Sequence, residues 1–261
     1  MKYIKQFLIP VCLVLISPGC SPRTGCGNAQ GANSCLRILF VGNSYTYVND
    51  LPGVFAQLAG AGGHAVEVET DAQGGWSLSD HVNSSATLNK IILSKWNFVV
   101  LQEQSEIPSM AQSRAQEMYP AARILVRRIE DDGAAPILFL TWAHRDGWPE
   151  NGLKTFEDMQ LQIDQGYLGI AQELNAPVAP VGVAWLTARR EYPALNLWQD
   201  DGSHPTEAGT YLAACVFYVV IFHQSPAGLA YTAGLPKETA APLQTIAADT
   251  VLNDLQQWNL P

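Results

Sequence analysis

Three residues in this chain have the types and spacing for nucleophilic chemistry: Ser44 early, then Asp201 and His204 late. Ser44 follows the run Arg37-Ile-Leu-Phe-Val-Gly-Asn43. Ile38 to Val41 is a short apolar run of the kind that forms a buried strand. Gly42 and Asn43 end it in a tight turn, and Leu51 to Leu58 reads as a helix. A strand, a turn of small residues, a serine and a helix put one hydroxyl at the C-terminal edge of a parallel sheet, where open α/β folds bind ligands. Backbone N–H groups at a helix start can support an oxyanion there. Taken alone, the same stretch also reads as a turn or a helix N-cap.

The second stretch is Asp201-Gly-Ser-His-Pro205. An Asp and a His three residues apart in a turn can face the same way. The carboxylate then orients the imidazole and fixes its tautomer, and the imidazole takes the serine proton. A lone D-x-x-H also fits a solvated loop with a cap. Asp200 is the neighbouring rival, and the three-residue spacing favours Asp201. The combination carries more weight than either stretch, because acyl transfer needs a nucleophile, a base, an orienting acid and oxyanion donors together.

These loops need a scaffold. Ala65 to Glu69 reads as a second strand, Trp96 to Leu101 as a third, Ala134 to Leu140 as a fourth and Val178 to Val183 as a fifth. Helical runs separate them: Ser77 to Leu93 as one or two helices, Met110 to Ile129, and Phe156 to Leu174. Gly182 to Tyr192 reads as a short helix, Glu207 to Phe222 as a buried one, and Glu238 to Trp258 as a last helix over one sheet face. Alternating strands and helices imply a three-layer α/β/α sandwich around a parallel sheet of about five strands. Its C-terminal edge then collects Ser44, Gly75, Gln102 and Gln104, with Asp201 and His204. The N–H groups of Ser44 and Gly75 and one glutamine amide are candidate oxyanion donors, although turn glycines and solvated glutamines are ordinary. Trp76, Trp142 and Arg145 fall at the same edge, where the rings suit a sugar face and the guanidinium a carboxylate; loop packing is the alternative. His81 reads as a surface residue.

The ordered blocks resemble the SGNH hydrolases, the esterase and lipase superfamily also called GDSL-like. Gly42-Asn43-Ser44 stands where many members have Gly-Asp-Ser, and Asp201-x-x-His204 matches the last block. The second-block glycine aligns best with Gly75. The resemblance implies a flavodoxin-like α/β/α fold and an ester hydrolase in which Ser44 attacks, His204 is the base and Asp201 orients it. It also implies an oxyanion hole from the serine N–H, the glycine N–H and a third-block side chain. The usual third block, Gly-x-Asn-Asp, is absent; Leu101-Gln-Glu-Gln-Ser105 stands there, so the role passes to Gln102 first and Gln104 second. No G-x-S-x-G surrounds Ser44, which separates the chain from the α/β-hydrolases. No cofactor is implied.

The 261 residues suffice for one α/β domain and a leader. A net charge of −9 disfavours a nucleic-acid partner, and the family resemblance implies a small-molecule or carbohydrate ester as substrate. Lys2, Lys5 and the apolar run from Phe7 to Ile16 read as an export signal. Gly19-Cys20 resembles a lipoprotein cleavage box, so residues 1–19 are read as signal peptide, Cys20 as a lipid attachment point for a bacterial periplasmic or outer-membrane lipoprotein, 20–35 as tether, and 36–261 as one domain, monomeric. Ordinary signal cleavage nearby is the alternative. Cys26 and Cys35 flank a short polar stretch and can form a disulfide in an oxidising compartment, Cys215 reads as core, and no cysteine set has metal-site spacing. The rival reading is a non-catalytic exported glycan-binding lipoprotein using the same cleft.

Overall fold

The computed structural model describes Cys26 and residues 35–261. The leader, Cys20 and most of the tether lie outside the described residues. Five strands form one parallel sheet: β1 (Leu36–Gly42), β2 (Val66–Ala72), β3 (Phe98–Leu101), β4 (Ala135–Phe139) and β5 (Val178–Ala179), in the order β2-β1-β3-β4-β5. The helices are α1 (Ser44–Tyr47), α2 (Leu51–Ala61), α3 (Leu78–Asn83), α4 (Ser85–Leu93), α5 (Ala111–Ser113), α6 (Tyr119–Asp131), α7 (Phe156–Leu174), α8 (Val181–Glu191), α9 (Glu207–Phe222) and α10 (Lys237–Leu252).

β1 is the second strand in the sheet and is covered on both faces, so Ile38 to Val41 are fully buried. α2, α9 and α10 pack together on one face, and α3, α4, α6 and α7 on the other. α9 is apolar nearly all round because it is buried nearly all round. Its Phe217 ring meets Phe40 of β1 and Phe139 of β4 edge-on, with centroids 5.3 and 4.9 Å apart. Cys215 is buried in the same helix.

Three of the boundaries that differ from the sequence reading have a clear local cause. β5 stops at Ala179 because Pro180 has no N–H for a ladder, and the chain turns there into α8. The long helix expected over 110–129 is broken by a π-helical turn at Arg114–Met118, where the Tyr119 N–H reaches back to Arg114. Pro120 has no N–H to offer the Gln116 carbonyl, and the wide turn falls where that bond is missing. The last helix ends at Leu252, followed by a separate 3-10 turn at Leu255–Trp258 that Asp254 caps.

The register aligns the strand ends. Gly42 pairs with Ala72, Val41 with Leu101, and Leu101 with Leu138. The loops that follow β1, β2, β3 and β4 therefore leave from one edge. At the opposite end, Cys26 and Cys35 form a disulfide just before β1, with Cα atoms 5.3 Å apart.

Candidate active site

Asn43, not Ser44, caps the first helix. Its side-chain oxygen accepts the Tyr45 N–H at 3.1 Å, and its carbonyl accepts those of Thr46 and Tyr47. The Ser44 hydroxyl is thereby left out of the cap, and as the first helical residue Ser44 has no intrahelical acceptor for its N–H. Gly42 must be glycine: a Cβ there would overlap the side chains of Gln102 and Thr46.

The late loop comes to this hydroxyl across 160 residues of chain. Ser44 Oγ lies 2.9 Å from His204 Nε2, and His204 Nδ1 lies 2.5 Å from Asp201 Oδ2. The other carboxylate oxygen of Asp201 accepts the N–H groups of Ser203 and His204 at 2.9 and 3.0 Å. Partial burial raises the Asp201 carboxyl, but the bonds from the His204 ring and these two amides outweigh it and hold the group below its ordinary value. Asp200 points to solvent. The loop is closed by Gln199, whose N–H donates to the His204 carbonyl at 2.8 Å, and by a bridge between Trp198 and Pro205.

The remaining predicted residues separate into different roles. Gly75 sits in the loop after β2 with φ +75°, a conformation that favours glycine. It is exposed, and its N–H has no protein acceptor among the described residues. Trp76 is half-buried with its ring edge-on to His81, and its carbonyl accepts the Asn43 side-chain amide at 2.8 Å. Gln104 is half-buried; its oxygen accepts the N–H groups of Glu106 and Ile107, while its nitrogen makes only a 3.5 Å contact with Ser105.

Gln102 and Trp142 are corrections. Gln102 is fully buried. Its oxygen accepts the Asn43 N–H at 2.8 Å and the Thr46 hydroxyl at 2.9 Å, and its nitrogen donates to the Glu103 carbonyl. Its amide is held inward and is not open to an oxyanion. Trp142, expected at a sugar face, is also fully buried, sandwiched between Tyr45 at 4.5 Å and Trp185 at 4.2 Å. Its indole N–H donates to the Ser203 carbonyl, so it supports the His204 loop from beneath. Arg145 touches the same loop, its N–H donating to Gly202 at 2.8 Å. Its guanidinium pairs with Asp146 and lines a cavity of about 420 Å³ with Arg189, Asn196 and Trp198. Neither Ser44 nor His204 lines that cavity.

Two buried ionisable residues were not anticipated. His81 is fully buried, not a surface residue. Its Nε2 lies 2.8 Å from the Gly42 carbonyl, so Nε2 carries the proton, and Nδ1 accepts from the Thr87 hydroxyl at 3.1 Å. Burial pulls its pKa down, against the opposing pull of that carbonyl. The signal was present: Leu78 and His81 are three apart and share the buried face of α3. Glu103 is likewise fully buried, and nothing in its immediate sequence marks it.

No protein-family model matches the chain, and no curated protein matches it. Solved structures do. A protein from Slackia heliotrinireducens provisionally described as an SGNH hydrolase aligns over 70% of this chain and 97% of its own, with 29% identity and a TM-score of 0.61. A DUF4886 family protein from Bacteroides uniformis aligns over 84% and 95%, with 19% identity and a TM-score of 0.73. A catalytic variant of an acetylxylan esterase from Geobacillus stearothermophilus aligns over 70% and 92%, with 18% identity and a TM-score of 0.53. The chain thus shares its five-stranded α/β/α fold with solved structures described as SGNH hydrolases and as GDSL-like esterases and lipases.

Proposed function

We propose that this chain is a serine esterase acting through an acyl-enzyme on Ser44. The observation that carries the reading is the unbroken chain of hydrogen bonds from Ser44 Oγ through His204 to Asp201. His204 Nε2 takes the hydroxyl proton as Oγ bonds to the acyl carbon. The oxyanion that forms is held by the N–H groups of Ser44 and Gly75 and by the Gln104 amide, which retains uncommitted hydrogens. The C–O bond to the alcohol then breaks, and His204 returns the proton to the leaving oxygen. Water then gives a proton to His204 as its oxygen bonds to the acyl carbon, and the second tetrahedral intermediate collapses by breaking the bond to Ser44 Oγ, which takes the proton back from His204 as the free acid leaves.

The substrate class we favour is O-acetyl groups on carbohydrate. Its supports are the likeness in fold to an acetylxylan esterase and the half-buried Trp76 beside Gly75. The enzyme is proposed to act outside the cytoplasm, which suits the Cys26–Cys35 disulfide, with Cys20 as a lipid anchor. Among the described residues, no helix is long and apolar enough to cross a membrane.

Ser44→Ala, compared with the unaltered chain on a chromogenic acetyl ester, tests the nucleophile. Hydrolysis is expected to vanish with the thermal transition unchanged; retained turnover rejects Ser44. A panel of acetylated sugars against longer acyl esters tests the substrate class, and preference for long chains rejects it.

A further inference from the structure

Two consecutive side chains just past the end of β3 reach the Ser44 loop and the start of α3. Gln102 holds the Ser44 loop through the Asn43 N–H and the Thr46 hydroxyl. Glu103 holds the other. Its Oε1 accepts the N–H of Leu78 at 3.0 Å and that of Gln104 at 2.7 Å. Leu78 opens α3, immediately after the loop that carries Gly75 and Trp76. Gln104 is the amide placed at the oxyanion above. One buried carboxylate oxygen therefore ties the backbone of the Gly75 loop to that of the Gln104 loop. The Asn43 amide, donating to the Trp76 carbonyl at 2.8 Å, ties the Gly75 loop in turn to Ser44.

The carboxylate is held in an unfavourable setting. Glu103 is fully buried, and its Oε2 has no hydrogen-bond partner among the described residues. A buried acceptor left unpaired is destabilising, and such groups in native structures call for an explanation. An apolar side chain would fill the same space, but it could not receive two convergent N–H groups. The Glu103 N–H is itself anchored, donating to the buried hydroxyl of Tyr167 on α7 at 3.1 Å. The carboxylate is thus fixed at its base and tied to both loops by one oxygen.

We propose that Glu103 is a positioning residue that sets the Gly75 N–H and the Gln104 amide at their working separation from Ser44. Its place in the molecule is a brace behind the oxyanion site, out of contact with substrate. The inference rests on the esterase reading and deepens it, since it says what the unusual Gln-Glu-Gln block does. Displacement of an oxyanion donor by a fraction of an ångström acts on the transition state more than on ground-state binding.

The test uses the full chain and a chromogenic acetyl ester, with thermal unfolding and amide hydrogen exchange measured on each variant. Glu103→Ala is expected to lower kcat by about 10- to 100-fold, with little change in KM, and to speed exchange at the Leu78 and Gln104 amides. Glu103→Gln keeps an oxygen at the Oε1 position and is expected to recover most of kcat and of the protection. Glu103→Asp keeps the charge but withdraws the oxygen, and is expected to behave like the alanine variant; if alanine does not fold, the Gln–Asp pair decides. A folded alanine or aspartate variant with unchanged kcat overturns the proposal. So does a loss confined to KM, a glutamine variant no better than aspartate, or unchanged exchange at Leu78. Wild-type and Ser44→Ala chains run alongside. If the wild type is inactive, or Ser44→Ala is not, the esterase reading fails, whereas exchange at Leu78 still reports on the brace.

Discussion

Tyr45 and Ser203 share a hydrogen bond, with 2.7 Å between their hydroxyl oxygens. They are the immediate chain neighbours of Ser44 and His204. The two loops that must meet are therefore joined one residue to the side of the proposed reacting pair. The Tyr45 ring lies flat on Trp142, whose N–H donates to the Ser203 carbonyl, so Ser203 is held by its side chain and its backbone at once. The Ser44–His204 distance is set by this packed platform as much as by its own bond.

Tyr45→Phe removes the shared hydrogen bond and keeps the stack. Stability is expected to fall by about 1 kcal/mol, and kcat by about 3- to 30-fold, because His204 gains freedom to turn from Ser44. Urea unfolding and steady-state kinetics check both. A variant with wild-type kcat would show that the indole alone aligns the loop.

The two glutamines should separate cleanly. Gln102→Ala strands the buried Asn43 N–H and Thr46 hydroxyl, at about 1–3 kcal/mol each, so its main effect is expected on stability. Gln104→Ala removes the amide proposed as an oxyanion donor, and a loss of about 10²–10³-fold in kcat is expected with the fold retained. Unaltered kcat in a folded Gln104→Ala chain would remove that amide from the mechanism.

How far this was legible follows from how local each cause is. β1, α7 and α9 were readable because strand runs and helical spacing are local, and α7 and α9 begin and end where the sequence reading put them. Ser44, Asp201 and His204, which the fold joins by hydrogen bonds, were singled out by residue type and by a three-residue spacing that makes a turn. Gln102 was misjudged because its direction depends on an N–H 59 residues away. Trp142 was misjudged because its burial depends on Tyr45 and Trp185, from two distant elements. Both errors concern which way a side chain turns after a strand has ended, where strand alternation no longer constrains it.

Glu103 predicts a pH dependence of stability. Burial raises its carboxyl from 4.5 to about 7, against the lowering by the Gln104 and Leu78 amides, and with smaller raising contributions from Glu117 and Asp80. Tyr167 is its other titratable neighbour and stays protonated, its pKa pushed up mainly by burial. A folded-state pKa above the unfolded one means the native chain keeps a proton that the unfolded chain has lost. Stability from this group therefore falls as pH rises from about 4.5 to 7 and is level outside that window. The wild type should lose about 3 kcal/mol across it relative to Glu103→Gln. Denaturant unfolding of both chains at pH 5 and pH 8 reads the difference, and parallel pH profiles would refute it.

Asp201 behaves in the opposite sense. Its folded pKa is depressed, so its contribution is present above the unfolded carboxylate value, near 3.8, and is lost only as pH falls through the lower folded value. It remains ionised at neutral pH, and an acid limb of activity between pH 5 and 8 cannot come from it. Asp201→Asn keeps the shape but can place a donor against His204 Nδ1, favouring the tautomer with its proton on Nε2, the atom proposed to accept from Ser44. A loss of about 10²–10⁴-fold in kcat is expected, with the oxygen of the introduced amide still able to accept the Ser203 and His204 N–H groups. The ring-nitrogen chemical shifts of His204, compared between the two chains, distinguish a changed tautomer from a collapsed loop. Unchanged shifts together with unchanged kcat would mean that the carboxylate neither fixes the tautomer nor serves the reaction.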